Sequence, residues 1–122
     1  MIAPLGSAER ALVYQWVAFG LAELEGPLFR WIRELLEDPT GPSTSRERFE
    51  QAAAAIETAL SGHEWLVADR FSVADVICAS VLGSAHSRGL LAEWPGLEAY
   101  VERAEARPAF VESAVISNQP RS

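Results

Sequence analysis

The chain has 122 residues, 49% apolar and 22% charged, the balance of one soluble globular domain that buries about two-thirds of its unfolded surface. The formal charge is −7 and all ten cations are arginines spread along the chain, which argues against nucleic acid or an anionic membrane as a partner. No apolar run reaches the roughly 18 residues of a membrane span. Met1 to Leu5 lacks a signal-peptide pattern, and the one cysteine, Cys78, cannot form an internal disulfide, so a cytoplasmic location is expected.

Residues 1–6, with Pro4 and Gly6, read as a lead-in, and Ser7 as the cap of a first helix. Leu12, Trp16, Phe19, Leu24, Leu28, Trp31, Ile32 and Leu35 recur at helical steps to about Glu37. Gly26-Pro27 interrupts them and predicts a kink between Glu23 and Pro27. Residues 38–43 are dense in turn formers. A second helix, capped by Ser43, Thr44 or Ser45, then carries Phe49, Ala52, Ala53, Ile56 and Leu60 to Ser61-Gly62 and pairs with the first as an antiparallel hairpin. Trp65 and Leu66 lie in a short connection and read as core plugs.

The stretch from Phe71 to Val76 starts the central element. Ser72 is placed to cap the helix while Asp75, three residues on, bonds back to the Ser72 amide; Phe71 and Val76 have the spacing of a hydrophobic staple. The helix that follows has no charged face from Val76 to about Ala85, so it belongs in the middle of the protein. The pattern loosens at His86 to Gly89. Trp94-Pro95-Gly96 precedes a helix facing inward with Leu97, Tyr100, Val101 and Ala104, and Pro108 opens a last one through Phe110 and Val115. Residues 117–122 read as a tail. With no alternating pattern and no repeat, the expectation is an all-α bundle of about five helices over residues 7–116, its buried central helix starting at Ser72.

These motifs resemble a known family. Trp65 through Asp75 is similar to the capping-box motif of the glutathione S-transferase C-terminal domain. Trp94-Pro95, Leu97, Tyr100, Arg103 and Arg107-Pro108-Ala109-Phe110 resemble the closing helices of bacterial members. Glu9-Arg10-Ala11, Gln15-Trp16 and Glu23-Leu24-Glu25 look like the domain's long first helix. The resemblance spans roughly residues 5 to 116. Ala68 departs from it, standing where many relatives have glycine.

The resemblance implies a homodimer in which this domain walls the hydrophobic-substrate site. A thioredoxin-like domain, in cis or missing, binds glutathione as co-substrate and activates its thiol against an electrophilic small molecule. No βαβ pattern or glycine-rich phosphate loop is present, so the chain alone is expected to bind no cofactor and to be inactive. A non-catalytic helical interaction module is the alternative, and a small-molecule carrier a further one.

Tyr14, Ala18, Ala22, Glu25 and Phe29 share one face of the first helix, with small residues between aromatic ones. The resemblance makes Tyr14, Ala18, Ala22 and Glu25, with Ser84 on the central helix, the candidate substrate-binding residues. The same small residues also suit close helix packing. No catalytic residue is assigned. Cys78 sits mid-helix among apolar neighbours and reads as structural. His63 and His86 have no metal-ligand spacing.

Overall fold

Pro27 shapes the first helical rod. It offers no N–H to the carbonyl one turn back and its ring crowds that carbonyl, so the chain must widen or bend. In the computed structural model, which describes residues 8–107, α1 (Ala8–Phe19) passes into a π-helical turn (Gly20–Glu25) and then into α2 (Gly26–Glu37) without a break. The disturbance therefore starts three residues earlier than the predicted kink. Gly20 explains where. It is buried against the central helix, and a Cβ there would stand 3.1 Å from both Cys78 Sγ and Ile77 Cγ2, so the widened turn begins where the backbone is pressed against its neighbour.

Asp38 ends this rod with its N–H bonded to the Glu34 carbonyl. Ser43 then caps α3 (Thr44–Ala59): its Oγ accepts from the Arg46 amide at 2.9 Å and donates to the Glu34 carboxylate at 2.9 Å, tying the start of α3 to α2. Trp31 and Phe49 meet across the hairpin with ring centroids 5.6 Å apart. Phe49, Ala52, Ala53 and Ile56 are buried.

The central helix, α4 (Val73–Ser87), buries Ala74, Asp75, Cys78, Ala79, Val81, Leu82 and Ala85. It packs against α1, the π turn and α5. The first rod and α4 run in the same direction: Glu9 forms an ion pair with Arg70 at one end, and Gly20 meets Ile77 and Cys78 further along. Gly89, at φ +75°, turns the chain away from α4. Pro95 opens α5 (Pro95–Glu105), whose Leu97, Tyr100, Val101 and Ala104 are fully buried.

The described residues thus form an all-α bundle of four rods, with no strand among them. The predicted last helix from Pro108, the Ser7 cap, the lead-in and the tail lie outside the described residues. One inward assignment and one helix end differ. Leu12 is half exposed and its neighbour Val13 is buried instead, because α1 turns the 13, 16 and 20 positions, not the 12 position, toward α4. The central helix also persists through His86 to Ser87, where the sequence pattern alone had loosened.

Candidate functional site

The face assigned to substrate is open. Tyr14 and Phe29 are each 48% exposed, Leu21 47% and Leu36 82%; Ala18 and Ala22 are exposed beside them. With Leu12, these are all the exposed large apolar side chains among the described residues, and every one lies on the first rod. Arg10 stacks over the Tyr14 ring at 5.0 Å and donates to its hydroxyl. Glu25 is half-buried, because the wide π turn lags behind the α period and carries its last residue off the stripe.

Ser84 is half-buried on α4 and engaged with its own helix. Its hydroxyl donates to the Ser80 carbonyl at 3.5 Å, and its carbonyl accepts from Ser87 Oγ and Arg88 Nη1 at 3.0 and 3.1 Å. Tyr14, Ala18 and Ala22 thus share an exposed stripe; Glu25 and Ser84 are set apart from it.

The interior polar centre lies elsewhere. Ser72 Oγ accepts from the Ala74 amide at 3.2 Å, and Asp75 Oδ2 accepts from the Ser72 amide at 3.0 Å, the reciprocal cap. Asp75 Oδ1 accepts twice more, from the Leu66 amide at 3.1 Å and from the Tyr100 hydroxyl at 2.7 Å. Burial pushes the Asp75 carboxyl above its ordinary value, opposed by the donors from Tyr100, Leu66 and Ser72. Burial, and then the Asp75 charge, lifts the Tyr100 phenol well above its usual range. Phe71 packs edge-on against Trp65, centroids 4.9 Å apart.

Around that centre, Arg103 lies 5.4 Å over Trp65 and 5.7 Å over Tyr100, while Arg107 lies 4.4 Å over Phe71. Arg103 also donates to the Glu64 carbonyl at 2.9 Å. These two arginines, one turn apart, clamp the connection before α4 onto α5.

Cys78 is buried, and burial together with the Asp75 charge pushes its thiol up to about 12. At neutral pH it is a thiol, not a thiolate, and no nucleophile. His86 joins α4 to α5, with Nδ1 3.3 Å from Glu98 and Nε2 3.8 Å from Glu102. Among the described residues no cluster of His, Cys, Asp and Glu could hold a metal, and no helix is long and apolar enough to cross a membrane.

Sequence reasoning missed one concavity. Phe19, Glu23, Arg48, Gln51 and Ala52 line a groove of about 310 Å³ between the π turn and α3. It arises where a helix widens, and helical periodicity carries no signal for that.

The fold and its centre define a class: a helical bundle around a buried helix whose capping carboxylate also receives a tyrosine from the next helix. The family model described as glutathione S-transferase, C-terminal domain, matches residues 15–103, and the chain belongs to that family. A glutathione transferase from Methylococcus capsulatus strain Bath is similar at 30% identity and a TM-score of 0.72, over 95% of this chain and 57% of its own. A glutathione S-transferase from Xanthobacter autotrophicus Py2 is similar at 25% identity and a TM-score of 0.72, over 88% and 55%. The chain therefore spans little more than half the length of these relatives. No curated protein sequence matches it.

Proposed function

We propose that this chain is the substrate-side and dimerisation half of a glutathione S-transferase-like protein. Joined to a thioredoxin-like domain, it walls the cleft in which glutathione thiolate attacks a hydrophobic electrophile. The observation that carries this reading is the gathering of Leu12, Tyr14, Leu21, Phe29 and Leu36 on one rod, apolar surface that a self-sufficient domain would cover. Tyr14, Ala18 and Ala22 form the wall. Glu25 stands at its rim and Ser84 on the neighbouring helix. In this reading glutathione and the group that activates it belong to the other domain; the one thiol here is buried and protonated and supplies no nucleophile of its own.

A second reading is a non-catalytic interaction module, for which the same exposed apolar rod would serve as the docking face. The test is conjugation of glutathione to a generic aromatic halide by the purified chain and by the chain fused to its upstream genomic sequence. Activity in the fusion alone is expected. Activity in neither would move the assignment to the interaction module.

A further inference from the structure

The groove beside the π turn has a chemical character of its own. One wall is the first rod, with half-buried Phe19 and exposed Glu23; the other is α3, with exposed Arg48 and Gln51 above buried Ala52. On the same helix Arg46 is committed to Glu50. The side chains of Glu23, Arg48 and Gln51 make no hydrogen bond or ion pair among the described residues, and Glu23 and Arg48 do not pair with each other. A carboxylate and a guanidinium thus line one cavity without pairing, together with the half-buried Phe19 ring. The cavity is at the small end of the range for ligand sites, and it opens where a π turn widens the helix, a distortion frequent at functional sites.

We propose that this groove binds a small zwitterion with an apolar side group, such as a free aromatic amino acid. The ligand ammonium meets Glu23, its carboxylate meets Arg48, a bidentate acceptor for the guanidinium fork, and its apolar part lies on Phe19 and Ala52. Neither a simple anion nor a simple cation satisfies both walls. The site is separate from the Tyr14 face and does not depend on the function proposed for it.

The test is an NMR titration of the 122-residue chain with L-phenylalanine, against phenylacetate and phenethylamine, which each lack one charge. So small a ligand should bind with Kd of roughly 1 mM. Saturable shifts of the amides at Phe19, Glu23, Arg48 and Gln51 are expected. Glu23→Gln and Arg48→Gln, both at exposed positions, should each weaken binding about tenfold. Shifts that do not saturate, that ignore both substitutions, or that match those of the singly charged compounds overturn the proposal. So do groove shifts that follow protein concentration instead of ligand, which would make the groove an interface.

Discussion

The Tyr100 hydroxyl donates to Asp75 Oδ1 at 2.7 Å, a buried bond between residues 25 apart in sequence. With the Leu66 and Ser72 amides on the same carboxylate, it makes one side chain hold together the connection before α4, the start of α4 and the middle of α5. Asp75→Ala would leave three buried donors without an acceptor and should cost about 3 kcal/mol or more. Tyr100→Phe removes one donor and should cost about 1–3 kcal/mol. Urea unfolding measures both. In a double-mutant cycle with Asp75→Asn, Tyr100→Phe should show a coupling of about 0.5–3 kcal/mol; a coupling near zero would mean that the bond adds nothing to the fold.

Ala68 and Asp69 both have φ of +52°, and the Arg70 amide bonds to the Val67 carbonyl at 3.1 Å across them. Asp69 tolerates the left-handed conformation, and its Oδ1 accepts from the Glu64 and Trp65 amides at 2.6 and 3.3 Å. Ala68 has no such compensation. Ala68→Gly should stabilise the protein by about 1 kcal/mol, raising Tm, because glycine adopts this conformation freely. A lower Tm would show that the turn is set by something other than backbone strain.

The parts written in local chemistry were legible. Ser72 and Asp75 announce α4 because a cap uses residues three apart, and the apolar run after them requires burial. The partners that converge from afar were not. Nothing in periodicity says that Tyr100 reaches Asp75, or that Arg103 and Arg107 lie over Trp65 and Phe71. The π turn was half legible: Pro27 predicts a disturbance, but its start at Gly20 depends on contact with Cys78 and Ile77. For the candidate site, Tyr14, Ala18 and Ala22 follow from the helical period, whereas Glu25 leaves their stripe because that period changes inside the π turn.

Two glycines of the first rod differ in what a side chain would meet. A Cβ at Gly26 would meet only the flexible end of Arg30 at 3.7 Å, but Gly26 is α-helical just before Pro27, whose ring crowds a preceding Cβ, so the helix-propensity gain is offset and Gly26→Ala should leave Tm nearly unchanged. Gly20→Val would drive two further methyl groups toward Cys78 and Ile77 and should cost about 1–3 kcal/mol through overpacking. Thermal unfolding should show a clearly lower Tm for Gly20→Val and little change for Gly26→Ala. A stabilised Gly20→Val would mean that α1 and α4 are not held at the distance described.

Asp69 and Asp75 oppose each other in acid. The bonds from the Glu64 and Trp65 amides hold Asp69 below its ordinary value, so its contribution is present above that value and lost as pH falls through the lower folded one. Burial holds Asp75 above its ordinary value, so the folded state binds that proton more tightly. Stability therefore falls as pH rises through this window and recovers on acidification. In unfolding measured from pH 7 to about pH 3, Asp69→Asn should be less acid-sensitive than the parent. The deficit of Asp75→Asn should widen as pH falls. A deficit that narrows would mean that the donors around Asp75 outweigh its burial.

The open face of the first rod should make the chain associate with itself. Tyr14, Leu21, Phe29 and Leu36 are large apolar side chains left exposed on it, and mass action favours any contact that covers them. Sedimentation of the 122-residue chain should show a weight-average mass rising with concentration. Leu21→Glu and Phe29→Glu, at half-exposed positions outside the buried core, should lower it toward the monomer with little change in Tm. A monomer at all concentrations would count against this face as a docking surface. Association that persists in the double variant would place the contact elsewhere, the groove between the π turn and α3 being the next surface to test.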